Sequence, residues 1–379
     1  MEVSVTATSK NRLMTEFNDI LNLLKWLIST PSFSREEERT AQLIADFLEG
    51  YGVLVSRHGN NVWAVNKFFD ESKPTILLNS HHDTVKPNPA YTRDPFSAEV
   101  IDGKLFGLGS NDAGGPLVSL IATFLHFYNQ ENLSFNLILA ATAEEEISGK
   151  GGIESIWSSL SRIDFAIVGE PTLCQMAVAE KGLLVLDCTA KGKAGHAARE
   201  EGENAIYKAL RDIEWFRSFR FPKTSPMLGE VKMSVTVIHA GQQHNVVPAE
   251  CAFTVDVRVT DAYTLEEVLE IIQQHVSCEV VPRSLRLRPS GIPADHVLAC
   301  AAEKLGIQQY GSPTTSDQAL IPVPSVKIGP GDSARSHSAD EFIYAEEIKK
   351  GVENYIQLVN QCSTLLPVSG FQSPVAGSQ

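Results

Sequence analysis

Cysteine is sparse in this 379-residue chain and placed without pattern: six residues, at positions 174, 188, 251, 278, 300 and 362, with no Cys-x-x-Cys pair. That scattering argues against a zinc knuckle, an iron–sulfur cluster or a disulfide framework. Basic residues are outnumbered, 32 Lys and Arg against 46 Asp and Glu, for a formal net charge of -14. No Lys/Arg run suggests a nucleic-acid groove or an anionic membrane surface, so neither nucleic acid nor membrane is expected as a partner. Long apolar runs are missing from the amino terminus too. Met1 to Arg12 is polar and Leu13 to Leu27 is broken by Glu16, Asn18 and Asp19, so neither a signal peptide nor a spanning helix is expected and the expected location is the cytoplasm. There is no phosphate loop: the glycines at 107, 109, 114 and 115 lack a Gly-Lys-Ser/Thr ending and do not fit a dinucleotide fingerprint. No internal repeat is present, and only the Ser/Pro/Gly-containing tail from 367 to 379 reads as disordered.

What is present is a chain long enough for two domains, with an ordinary 43% of apolar residues. Thr75 to His81 is an apolar, β-favouring run that ends in His81, His82 and Asp83, the composition of a buried strand delivering polar groups to the carboxyl edge of an α/β sheet. Side chains two apart in an extended segment share a side, so His81 and Asp83 can touch while His82 faces elsewhere. A carboxylate beside an imidazole fixes its tautomer and improves its other nitrogen as a metal ligand; the same residues also suit a plain strand end. Phe135 to Ala141 repeats the pattern and ends in Glu144, Glu145 and Glu146, acids that repel one another unless solvated, protonated or facing cations. If the strand continues, Glu144 and Glu146 share a side and Glu145 projects differently. Phe165 to Gly169 does the same before Glu170 and Pro171. The glycine-rich turn from 107 to 115 lets Asp112 either reach a shared site or cap the helix that Leu117 to Phe127 predicts.

Helices are also expected from Phe17 to Ile28 and after Ser34, where Ser34 would cap with Glu37 three residues on. A different rhythm begins at Gly182: strand to Ala190, helix 204–219, strands 231–238 and 252–259, helix 264–275, strand 279–287. That βαββαβ order is the ferredoxin-like split motif. The expected division is residues 1–180 and 292–366 for one catalytic domain, with 181–291 inserted between its halves.

Together, His81-x-Asp83, the Asp112 turn, the acidic triplet ending at Glu146, Gly169-Glu-Pro-Thr172, Gly195-His196 and the late His337 resemble the M20 family of metal-dependent amidohydrolases and peptidases. The resemblance is closest to its acetylornithine deacetylase and succinyl-diaminopimelate desuccinylase branch and covers about Leu13 to Cys362. It implies an α/β zinc-hydrolase domain of the phosphorylase/hydrolase-like type with a mixed central sheet, carrying a ferredoxin-like α+β lid. It also implies two zinc ions, replaceable by cobalt, with His81 and Glu170 on one, Glu146 and His337 on the other, and Asp112 bridging. Asp83 would orient His81, Glu145 would be the general base, and His196 would serve as oxyanion donor in its own or a partner active site. Asn245, Arg258 and Gly331 would contact the substrate carboxylate. The chain departs from many relatives in having Glu144 for Asp and His82 beside the ligand histidine.

The implied reaction is hydrolysis of an N-acyl-L-amino acid, with N-acetyl-L-ornithine first, as in arginine biosynthesis. Alternatives are N-acetylcitrulline, N-succinylornithine or succinyl-diaminopimelate, a di- or tripeptide, and, outside catalysis, a metal-free binding or scaffold protein. A homodimer through the lid is a further implication.

Overall fold

The computed structural model describes residues 7–366, with side chains from residue 17; the tail expected to be disordered lies outside the described residues. Two compact units are present, one of residues up to 178 with 292–310 and from 316 on, the other of 179–291 with 311–315.

Four strands of the first unit run parallel, in the order Asn136–Thr142, Thr75–His81, Phe165–Gly169, Ser325–Ile328. Asn61–Val65 extends them antiparallel and hairpins with Val55–His58 through the turn at Gly59 and Asn60, and Met176 onward lies antiparallel at the far side. The sheet is therefore mixed. Thr75–His81 and Asn136–Thr142 are buried along their whole length, which is why their sequences are mostly apolar rather than alternating. Successive residues still go to opposite faces: Ile76, Leu78, Leu137, Leu139 and Ile167 join the larger core, Leu77, Ile138, Ala140 and Val168 the smaller. The helices Ala7–Ile28, Gly115–Tyr128, Val297–Lys304 and Ala345–Leu365 cover the larger core. Each fully buried Leu or Ile contributes about 1.5–3 kcal/mol to holding those layers. Register places His81 opposite Thr142 and Gly169 opposite Ile328, so the four strands release their following residues at one edge.

In the second unit the strands order as Lys232–Ala240, Glu250–Val259, Gly182–Lys191, Glu279–Pro282, all antiparallel, with helices Ala205–Ser218 and Leu265–His275 on one face. Asn204 caps the first helix and Thr264 with Glu267 forms a capping box on the second. The last strand stops at Pro282, short of the expected Leu287.

Two local expectations fail. Ser34 does not cap: the second helix begins at Glu38, four residues on, and the Ser34 hydroxyl donates instead to Asp83 at 2.7 Å. Glu144 does not share a side with Glu146, because the chain leaves the extended conformation there (φ 57°) and enters a one-turn helix, Glu145–Ile147. The Glu144 carboxylate accepts the Gly151 N–H at 3.2 Å and lies 4.0 Å from Arg35. No helix among the described residues is long and apolar enough to cross a membrane.

Candidate metal centre

His81 is the last residue of its strand and only 1% exposed. Its Nδ1 lies 3.0 Å from the Asp83 carbonyl and 3.4 Å from the Asp83 carboxylate, which assigns the proton to Nδ1 and leaves the Nε2 lone pair free. Nε2 faces Asp112 at 3.3 Å and Glu170 and Glu145 at 3.8 Å each. It is buried with no hydrogen-bond partner. His82 points away, to the Thr40 hydroxyl and the Asn60 carbonyl, both at 2.9 Å. Of the two histidines, His81 alone enters the site.

Asp83 does more than orient a histidine. Its buried carboxylate also accepts the N–H groups of Glu145 at 3.0 Å and Glu146 at 3.1 Å, so one side chain fixes His81 and the turn that presents both acids. Burial works against the Asp83 charge, yet His81, Ser34 and the Glu145 N–H outweigh it and hold the carboxyl below the usual range.

Asp112 sits in the irregular turn Ser110–Gly114 and uses its two oxygens in two directions. Oδ1 faces His81 at 3.3 Å and Oδ2 faces His337 at 3.7 Å. His337, in the left-handed conformation at φ 58°, meets Glu146 at 3.0 Å. Two trios result, His81–Asp112–Glu170 and Asp112–Glu146–His337, each with its donor atoms within 4.8 Å of one another. Nitrogen and carboxylate donors of this kind suit zinc and similar divalent ions.

The electrostatics point the same way. Burial, with the charges of Glu170, Asp317 and Glu146, lifts Glu145 well above the carboxylate range despite His81. Burial and Asp112 lift Glu170 to about 8. Burial opposes charge on His81, but Glu145, Asp112, Asp83 and Glu170 prevail and raise it strongly; the hydrogen bond to Glu146 raises His337 to about 9, against its burial. Asp112, facing both histidines, is held low although burial opposes it. Glu145 and Glu170 hold protons where cations would neutralise them. The orphaned His81 Nε2 and this acid excess fit a pair of metal ions.

The remaining expected residues lie elsewhere. Gly331, at φ 89°, leaves space that a Cβ would take from Asn111 Oδ1, 2.5 Å from it. His196 and Asn245 belong to the second unit: His196 ends the short strand Gly195–His196, Asn245 is the turn residue before its partner Val246–Val247, and the Ala197 N–H donates to the Asn245 carbonyl at 3.0 Å. Arg258 lies in the same unit but its fork is engaged by Asp256, at 2.8 and 3.0 Å. With Lys181, Lys232 and Asp256 it lines a cavity of about 310 Å³.

Sequence reasoning missed four supporting groups: Ser34; Asn111, whose amide pairs with both backbone groups of Asp332 at 3.0 Å; Asp317, buried against the Thr142 hydroxyl at 2.8 Å; and Glu341. The strand-end pattern could have flagged Ser316-Asp317; no spacing marks Glu341.

Comparisons with known proteins give the family. The model of peptidase family M20/M25/M40 matches residues 77–361. An acetylornithine deacetylase of Proteus mirabilis is 28% identical over 356 residues, 85% of this chain and 91% of that one; one of Shigella sonnei is 29% identical over 380 residues, 90% and 97%. Among solved structures, a tripeptidase from Staphylococcus aureus superposes with a TM-score of 0.74 at 20% identity, over 92% of this chain and 99% of that one. A dinuclear metal-binding M20 peptidase from Bacillus subtilis gives 0.67 at 16% identity, over 91% and 98%. The chain belongs to peptidase family M20/M25/M40 and is a hydrolase of metal-dependent amide chemistry.

Proposed function

We propose that the chain hydrolyses the amide bond of an N-acyl-L-amino acid, with N-acetyl-L-ornithine as the leading substrate. The observation that carries this reading is Asp112, whose two oxygens face His81 on one side and His337 on the other. His81 and Glu170 would hold one ion and Glu146 and His337 the other, with Asp112 between them; zinc is the first candidate and cobalt a substitute. Such ions supply Lewis acidity to an amide carbonyl and acidify water. Glu145 is in neither trio, yet stands 3.8 Å from His81 with its affinity for protons raised. On this reading it takes the proton of the attacking water and passes it to the departing amine. Asp83 keeps His81 and Glu145 in one rigid frame.

The second unit is read as a ferredoxin-like lid. His196 Nδ1 accepts the Ala198 N–H at 3.1 Å, which leaves the proton on the exposed Nε2 and makes that atom a donor for a developing oxyanion. The cationic cavity with Arg258, together with Asn245, is the reading's carboxylate contact; because Asp256 holds the Arg258 fork, Lys181 and Lys232 share that role. Homodimerisation through the lid would use the edge strand Lys232–Ala240, where Val237 and Ile238 are 43% and 50% exposed.

The substrate names of the relatives enter here: both are acetylornithine deacetylases. Initial rates on N-acetyl-ornithine, N-acetyl-citrulline, N-succinyl-ornithine, N-succinyl-diaminopimelate, a dipeptide and a tripeptide, each with zinc or cobalt and after chelation, test the assignment. The expected result is chelation-sensitive turnover led by N-acetyl-ornithine. Turnover of peptides with silence on every acyl amino acid would replace it with the peptidase reading.

A further inference from the structure

Asp112 sits in a turn whose own backbone bonds, Ser110 N–H to Gly107 and Gly114 N–H to Gly109, leave its middle unsupported. Within Ser110–Gly114, Asp112 (φ -118°, ψ 100°) and Ala113 (φ -116°, ψ 31°) are not helical, so the regular ladder does not collect the N–H groups of this stretch. Two of them, from Asn111 and Asp112, converge with the N–H of the preceding Gly109 on one side chain. Glu341 accepts the Asn111 and Asp112 N–H groups on Oε1 at 2.8 and 2.9 Å and the Gly109 N–H on Oε2 at 3.1 Å. Its residue is 2% exposed, so water does not stand in for it.

Glu341 is also only four residues beyond His337. The intervening Asp340 is itself pinned, accepting the Thr92 N–H at 2.9 Å, the Thr92 hydroxyl at 2.6 Å and the Arg93 N–H at 3.0 Å. One short segment thus carries His337 at one end and grips the backbone of Asp112 at the other. We propose that Glu341 is a positioning residue of the metal centre, setting the backbone of Asp112 so that its two carboxylate oxygens meet the His81 and His337 sides together. The inference rests on the proposed metal centre and goes beyond its ligands. Supporting residues of this kind change metal affinity by roughly 10–100-fold when lost.

The test is zinc affinity of the metal-stripped full chain, measured by competition with a chromophoric chelator, together with the cobalt absorption spectrum. Glu341→Gln keeps the size and one acceptor oxygen but turns the other into an NH2 donor, so at least one of the three N–H groups loses its partner. The expected result is a folded protein with zinc affinity reduced about 10–100-fold and an altered cobalt spectrum. Should Glu341→Gln not fold, Glu341→Asp, which keeps the charge but withdraws it by one methylene, is read for the same loss. Asp212→Asn is the matched control: Asp212 is 5% exposed and accepts the Ser277 and Cys278 N–H groups at 3.0 and 2.9 Å in the second unit. Its zinc affinity is expected to stay unchanged. Natural affinity in the Glu341 variants, an equal loss in Asp212→Asn, or failure of both Glu341 variants to fold would each overturn the proposal. A natural chain that binds no zinc overturns the metal centre itself, and that outcome is distinct from the others.

Discussion

Glu170 and His337 carry a consequence that can be measured without substrate. Folding raises Glu170 to about 8 from an ordinary 4.5, through burial and the charge of Asp112, and raises His337 to about 9 from 6.5, through Glu146. In the metal-free protein each binds more protons folded than unfolded, Glu170 between 4.5 and 8 and His337 between 6.5 and 9. Stability from both is therefore present at the acidic end of each window and is lost as pH rises through it. The chelated protein should lose thermal stability between about pH 6.5 and 9, more steeply than the zinc-loaded protein, whose cations replace those protons. Parallel melting profiles for the two forms would contradict this. At the same scale, His81 and Asp83 were legible because two-residue spacing at a strand end puts side chains together. Ser34 and Glu341 were not, since each acts through a contact 49 or more than 200 residues away in sequence.

Elements were read best where burial dictates the pattern. The mostly apolar runs at 75–81 and 136–142 read as buried strands with polar groups at their carboxyl ends, and both are buried throughout. The acidic triplet shows the limit: alternation presumes an extended chain, whereas Glu144 turns left-handed and Glu145–Ile147 forms a helical turn, sending Glu144 to Gly151 and Glu145 toward His81. The edge strand Lys232–Ala240 carries the prediction that belongs to this scale. Ile238 is 50% exposed and its strand has a partner on one side only, the arrangement a charged residue disarms. On the proposed pairing through this edge, Ile238→Lys is expected to leave the circular dichroism unchanged and to move light-scattering mass from about 83 kDa, twice 41.4 kDa, to 41.4 kDa. A dimer that survives the substitution contradicts association through this edge.

At the scale of the molecule, each unit has its own core, the larger around the mixed sheet and the smaller around the four-stranded antiparallel one. The rhythm of the sequence changes at Gly182, from buried parallel runs to alternating strands such as Gly182–Lys191. It did not show that residues 311–315 group with the second unit, because five residues have no periodicity to read. Within the acid-rich balance of the chain, -14 overall, the costliest charges are those of Glu145 and Glu170, whose proton affinity burial raises and which cations beside them would stabilise as carboxylates.

The most direct test of that account separates the metal centre from the proton carrier. Rate on N-acetyl-L-ornithine and bound zinc are measured on the same preparations of the natural chain and of Glu145→Gln. The account predicts equal metal content, with turnover lower by about 10²–10⁴-fold in the variant and abolished in both by chelation. A Glu145→Gln protein that turns over at the natural rate with its metal in place would contradict it.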